Sequence, residues 1–260
     1  MKKIIAFAGK GGVGKSTSVL LFLKYVISNY PDLKKIVIDA DPDANVLDMI
    51  GKSLSYYDTI GGKVGEIQKK LKRNAVPPNV SEKTLIEDVA FQSIIKLDDF
   101  DLIVQGRKEG EGCYCSVNNI LKNLINTMEE LYDIVIIDSP AGLEFFARKT
   151  STNIDDLVLV VDTSRMSFHT IERLMEIKKE LGLLKIKKVW ILVNKCSVEN
   201  KQPFLDRIEE SSNGKAELLG FFDHNSEIQK YNLTQRSLLN LSNDNPVYQK
   251  ASEIYSKLFN

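Results

Sequence analysis

The chain has 260 residues, in which 35 Lys and Arg are balanced by 35 Asp and Glu, and 43% of it is hydrophobic. Zero net charge argues against a surface whose affinity comes mainly from phosphate-backbone contacts, so nucleic acid is not expected as a partner. The longest apolar runs, such as Leu157 to Val161, fall far short of the roughly 18 residues that a membrane-spanning helix needs, so no membrane partner is expected either. Met1-Lys2-Lys3 followed by Ile4 to Gly9 imitates a secretory signal, but its apolar part is shorter than the usual ~7 to 15 residues and runs into Lys10. A cytoplasmic location is the expectation, in keeping with three cysteines that cannot form a closed set of internal disulfides.

In chain order, short β-branched runs alternate with amphipathic stretches. Lys3 to Ala8, Lys35 to Asp39, Asp101 to Val104, Asp133 to Ile137, Leu157 to Val161, Lys188 to Val193 and Glu217 to Phe222 read as strands. Their near-continuous apolar character is expected where a parallel sheet is covered on both faces. Helical patterns fill Lys15 to Asn29, Ser116 to Leu131, Ser167 to Leu181 and Val247 to Leu258. This order predicts an α/β fold, a doubly wound and mostly parallel sheet of about seven strands with helices on both faces, in a single domain. Ligands of such sheets bind at the carboxyl ends of the strands. Gly51 to Asp99, with Gly61-Gly62 and Pro77-Pro78, reads as an irregular or helical insertion or mobile arm.

Gly9-Lys10-Gly11-Gly12-Val13-Gly14-Lys15-Ser16 fits G-x-x-x-x-G-K-[ST], directly after the first strand and opening the first helix. Glycines let such a loop wrap closely round phosphate, with backbone N–H groups of Gly11, Gly12, Val13, Gly14, Lys15, Ser16 and Thr17 turned toward the ligand and a helix N-terminus behind them. Lys15 is expected at the β and γ phosphates of ATP, and the Ser16 hydroxyl at Mg²⁺. Tyr132 to Asp138 is an apolar strand ending in an acid, the pattern of a Walker B, which assigns Asp138 to Mg²⁺ directly or through water. Ser139-Pro140-Ala141-Gly142 follows as the element sensing the γ-phosphate.

Lys10 is unusual at the second position of a P-loop. Lys10-Gly11-Gly12-Val13-Gly14-Lys15-Ser16 resembles the deviant Walker A of the MinD, ParA and nitrogenase iron protein superfamily. The resemblance implies a homodimer enclosing two ATP molecules, with Lys10 stabilising charge that builds up at the second subunit's nucleotide. It also makes Asp39-Ala40-Asp41-Pro42-Asp43 the first switch, with Asp41 orienting the attacking water and Asp39 supporting the Mg²⁺ shell. Val193-Asn194-Lys195 resembles the superfamily's base-recognition element, in which Asn194 faces adenine. Plainer readings stand beside these: Lys10 as a solvated loop lysine, the aspartates as caps of the next helix, Asn194 as a turn residue.

Cys113-Tyr114-Cys115 places two sulfurs at i and i+2, on one side of an extended segment and just before a predicted helix N-terminus that favours thiolates. Two thiolates are half of a tetrahedral Cys₄ site for Zn²⁺ or Ni²⁺, or of an iron–sulfur site, and a two-fold dimer supplies the other half. Two buried small hydrophobes are the alternative, and Cys196 reads as packing. His169 and His224, the two histidines, have no ligand-type partner at helical spacing and read as surface or helix residues; Trp190 reads as core.

Asp99 to Arg107, Gly110 to Cys115, Asn118, Tyr132 to Asp138, Ala141 to Glu144, Arg148 and Asp162 to Arg165 together resemble the carbon monoxide dehydrogenase maturation ATPases of the CooC type. The resemblance implies an ATPase that helps insert nickel into an apo nickel enzyme, carbon monoxide dehydrogenase or a relative, binding metal through paired Cys113 and Cys115. Pro140, Phe145 and the Phe221-Phe222-Asp223-His224 loop depart from the family's pattern. A MinD- or ParA-like positioning ATPase and an iron–sulfur reductase component are the alternatives; the former calls for a basic stripe or an amphipathic terminal membrane helix.

Overall fold

The computed structural model describes residues 2–73, 88–89, 91–107, 124–143, 153–181, 186–197, 201–234 and 236–260. The elements follow in the order β1 (Lys3–Ala8), α1 (Lys15–Asn29), β2 (Lys35–Asp39), α2 (Asn45–Met49), α3 (Ile60–Lys72), β3 (Ile95–Lys96), β4 (Asp101–Val104), β5 (Ile134–Asp138), β6 (Ile154–Val161), α4 (Arg165–Leu181), β7 (Ile186–Val193), α5 (Lys201–Ser212), β8 (Glu217–Phe221), α6 (Ser226–Leu233) and α7 (Pro246–Ser256). Residues 124–131 are also helical. The predicted strands are all present, though β6 and β7 begin two or three residues earlier than their apolar runs and β5 extends to Asp138.

The sheet runs β3-β4-β2-β5-β1-β6-β7-β8, eight strands where seven were expected. The extra strand, β3, is two residues long and pairs antiparallel with β4; the other pairs are parallel. Two residues carry no periodicity, so β3 leaves no mark in the sequence. The stretch from 51 to 99 also contributes α3, whose Ile60 and Val64 join the core. No helix among the described residues is long and apolar enough to cross a membrane.

The continuous apolar runs have a simple origin in the two cores. Along β1, Ile4, Ala6 and Ala8 enter one apolar cluster while Ile5 and Phe7 enter the other. The first face is covered by α3, α4 and α5 through Ile60, Phe168, Ile171, Leu174, Phe204 and Ile208. On the opposite face lie α1, α2 and α7, contributing Leu20, Phe22, Val46, Tyr248 and Tyr255. A strand with two buried faces has no polar position to alternate with, and polarity is deferred to the strand ends. Trp190 is core as expected, 6% exposed, with its Nε1 donating to Asp156 Oδ1 at 2.6 Å.

Helix α1 is anchored by an aromatic cluster. Phe22 packs at ring-centroid distances of 5.6 Å from Phe7 and 5.2 Å from Tyr255, and the Tyr255 hydroxyl donates to the Ser18 carbonyl at 2.9 Å. This fixes the helix N-terminus over the end of β1. Phe22 is fully buried, so Phe22→Ala is expected to cost about 3–5 kcal/mol in chemical denaturation. A loss below about 1 kcal/mol would mean that the cluster does not hold α1 in place.

Candidate functional site

Parallel strands β1, β2 and β5 end side by side, and their C-terminal residues converge. Register pairs Phe7 with Asp138 and Asp39 with Asp138. The loop after β1 then turns into α1 through left-handed glycines, with φ of 80° at Gly12 and 95° at Gly14. A Cβ on Gly14 would lie 2.4 Å from Asn194 Nδ2, so the position needs glycine on both conformational and steric grounds. The first turn of α1 contains no acidic residue, which leaves the positive end of its dipole open to an anion.

Other strands brace the loop from behind. Asn194, just past β7, donates through Nδ2 to Val13 O at 2.8 Å, and Lys195 donates through Nζ to Gly12 O at 3.0 Å. Gly142 N–H donates to Gly9 O at 3.0 Å from the segment after β5. Asn194, expected at a base, lines the cavity described below while its amide nitrogen holds the loop and its Oδ1 accepts from Lys195 N at 3.0 Å. The role of Lys195 was not anticipated, because a loop-bracing lysine looks like any surface lysine in one dimension.

Lys15 is 7% exposed, with its ammonium 3.5 Å from the Lys10 carbonyl, whereas the Lys10 side chain is exposed. Asp39 and Asp138 have no exposed surface. Asp39 accepts Val46 N–H at 3.0 Å on Oδ2 and Asp41 N–H at 3.2 Å on Oδ1, so it caps α2 as well as facing Asp138. Burial first, then the Asp138 charge, pushes its pKa well above the ordinary carboxylate value against those two hydrogen bonds. Asp138 is pushed up to about 6 by burial, with the nearby Ser16 hydroxyl and Lys15 ammonium pulling it down and Asp41 pushing it up. Apart from the Ser16 hydroxyl beside it, the carboxylate of Asp138 has no hydrogen-bond partner.

A buried carboxylate with so few partners, beside Ser16 and Lys15, fits a divalent cation. Among the described residues no three His, Cys, Asp or Glu side chains form a self-contained metal site. Mg²⁺ matches that pattern, since it is commonly held by one or two protein oxygens together with substrate phosphates. Asp41 is partly exposed and accepts Asp43 N–H at 3.0 Å; Asp43 in turn pairs with Arg107, whose Nε is 3.2 Å from Asp43 Oδ1.

A cavity of about 550 Å³ lies along this edge, lined by Gly12, Lys15, Ser16, Asp41, His224 and Gln229 among others. A groove of about 630 Å³ at the amino ends of β2 and β4 is larger, but it has no phosphate-type loop, and its lysines and aspartates are intermixed. The chemistry selects the former. Cys113 and Cys115 lie outside the described residues, as do Asn118, Glu144, Phe145 and Arg148. Cys196 is fully buried, as its packing role requires.

Two outcomes follow from the geometry. Gly14→Ala is expected to abolish nucleotide binding in calorimetric titration and to destabilise the fold by about 1–3 kcal/mol, through the positive φ and the contact with Asn194. Asp138 has a folded pKa of about 6 against 3.8 unfolded, so the stability its proton confers is full below the lower value and is lost as pH rises through the higher. In protein freed of Mg²⁺ and nucleotide, wild type should therefore lose on the order of 2–3 kcal/mol relative to Asp138→Asn between pH 4 and 7. Parallel pH–stability curves for the two proteins would refute the shift.

Comparison with known proteins identifies the family and the fold. The AAA_31 family, described as an AAA domain, matches residues 1–189. An ATP-binding protein of Methanocaldococcus jannaschii is 34% identical over 257 residues, 99% of this chain and 98% of its own. The carbon monoxide dehydrogenase accessory protein CooC of Rhodospirillum rubrum is 28% identical over 253 residues, 92% of this chain and 90% of its own. Among solved structures, a ParA family ATPase from Chlorobium tepidum has a TM-score of 0.69 at 17% identity, covering 98% of this chain and 99% of that one, a likeness of fold. The chain therefore belongs to the AAA_31 family of P-loop ATPases and has the fold of ParA and MinD.

Proposed function

We propose that this protein is a dimeric, cytoplasmic, ATP-hydrolysing maturation factor that assists nickel insertion into carbon monoxide dehydrogenase or a related nickel enzyme. One observation carries the reading: the Lys10-bearing loop and the Cys113-x-Cys115 pair occur in one chain that is similar, over 92% of its length, to a carbon monoxide dehydrogenase accessory protein. A nickel or zinc ion is then cargo, gripped by two thiolates from each subunit.

In this reading the amides from Gly11 to Thr17 wrap the phosphates, and Lys15 neutralises charge on the β and γ groups. Asp41 orients the attacking water from the cavity wall. Mg²⁺, held with Ser16 and Asp138, supplies further charge neutralisation on the phosphates. Lys10, exposed on one chain, completes the site of a second copy, so that hydrolysis requires the dimer. ATP favours the closed dimer to the extent that it binds that form more tightly, and closure brings the two cysteine pairs together.

The apolar face of α7 is not available as a membrane-docking surface. Val247, Tyr248, Ala251, Ile254 and Tyr255 are buried in the core, Lys250 pairs with Glu253 at 3.0 Å, and Lys257 donates to Leu219 O at 2.7 Å.

Anaerobically purified protein, with and without ATP, is to be assayed for Ni²⁺ and Zn²⁺ content and for mass by light scattering. About one metal per dimer is expected, lost in Cys113→Ser/Cys115→Ser. Equal metal content in both proteins would sink the cargo reading. Lys10→Ala should bind ATP yet hydrolyse it about 10³-fold more slowly in steady-state assays. Unchanged turnover would remove Lys10 from the chemistry.

A further inference from the structure

Asp41 sits in a turn between β2 and α2 that is clamped at its feet. Asp39 accepts Asp41 N–H at 3.2 Å on one carboxylate oxygen and Val46 N–H at 3.0 Å on the other, and Ala44 N–H closes the turn onto Asp41 O at 3.0 Å. Closure puts Ala44 at φ 56°, a left-handed conformation that alanine adopts only at a cost. Strain of this kind persists where the surroundings hold it, and here the exposed part is the apex, Pro42-Asp43. Asp43 N–H is the donor to Asp41 Oδ1, at 3.0 Å, so the place of the apex sets the place of the Asp41 carboxylate.

Arg107 reaches that apex from the loop after β4. Its Nε donates to Asp43 Oδ1 at 3.2 Å, and its Nη2 donates to the same oxygen. The backbone from which the side chain extends is fixed. Gln105 N–H donates to Asp39 O at 2.8 Å, Gln105 O accepts Gly61 N–H at 2.9 Å, and Gly106, at φ 66°, lies where an added Cβ would be 2.5 Å from Thr59 Oγ1. That hydroxyl in turn accepts Gly62 N–H at 3.1 Å in the first turn of α3. The guanidinium therefore extends from a point braced against both β2 and α3. Asp41 and Asp43 line the cavity and Arg107 does not, which puts the arginine behind the wall rather than at the ligand.

We propose that Arg107 is a positioning residue for ATP hydrolysis: through Asp43 it holds the turn in which the Asp41 carboxylate meets the attacking water. Hydrolysis forms one bond, from the water oxygen to the γ-phosphorus, and breaks the one to the bridging oxygen that leaves with ADP, so its rate depends on the line of attack. The Arg107–Asp43 pair is exposed, by 74% and 58% of its side chains, and such a pair adds little to the stability of the whole fold. Its loss is felt in the turn. The proposal rests on Asp41 orienting the water, and the test separates the two claims.

ATP turnover and calorimetric MgATP affinity are to be measured for wild type, Arg107→Ala, Asp43→Ala, the double variant and Asp41→Asn. Arg107→Ala and Asp43→Ala are each expected to lower kcat about fivefold, the most by which an exposed ion pair biases a turn, with ATP affinity within about twofold of wild type. General damage to the site would lower affinity and turnover together. The double variant should also fall about fivefold, where independent effects would multiply to ~25-fold. Asp41→Asn should fall further, by about 10²-fold. Unchanged kcat in Arg107→Ala, or a multiplicative double variant, with Asp41→Asn still impaired, overturns the positioning role and leaves the assignment of Asp41 standing. Full turnover in Asp41→Asn overturns that assignment and the role of Arg107 together.

Discussion

Two carboxylates occupy one dry corner of this fold, and the carboxyl edge of the sheet is arranged around them. Asp39 and Asp138 end adjacent parallel strands in direct register, and neither has any exposed surface. Placing like charges together out of water is unfavourable unless a cation, a proton or directed dipoles compensate. Two backbone amides compensate Asp39 only in part, since burial and the Asp138 charge outweigh them. Asp138 has only the Lys15 ammonium and the Ser16 hydroxyl beside it, so its negative charge is only partly met by the chain. That unmet charge is what a bound cation would satisfy. Binding energy is thus stored in the protein as an unsolved electrostatic problem.

The corner works because the loop facing it cannot drift. Gly9 is tied by its carbonyl to Gly142, Gly12 by its carbonyl to Lys195, and Val13 by its carbonyl to Asn194. Three carbonyls are thereby held outward, and the loop's amides are left for phosphate. The braces come from the ends of strands far apart in sequence but near in the sheet. The loop's shape therefore depends on the parallel packing of β1, β5, β6 and β7, and its precision follows from the rigidity of that layer.

Much of this was readable from local pattern. The P-loop is eight consecutive residues whose spacing carries its own mechanism, and the strands announce themselves as apolar runs because both faces of the sheet are buried. Legibility stopped where a role arises between distant segments. His224 is exposed, as it read, but its place on the cavity wall beside Gln229 depends on a helix whose position no periodicity reveals. Arg107 and Asp43, 64 residues apart, form an ion pair between the loops after β4 and β2 that neither segment advertises. Strand β3 is too short to show, and α3 falls in a stretch that reads only as an irregular or helical insertion until Ile60 and Val64 are seen packed in the core.

By itself the sequence determined the fold class, the phosphate-binding loop with Lys15 and Ser16, and the acids that end β2 and β5, because each is encoded in contiguous residues whose local conformational preferences agree with the final structure. Only the tertiary structure decided that Asp39 caps α2 while facing Asp138, that Asn194 and Lys195 brace the loop, and that α6 lines the cavity. Those assignments depend on which strand ends become neighbours, and that is set by the burial of the sheet's two faces rather than by any residue's own preference.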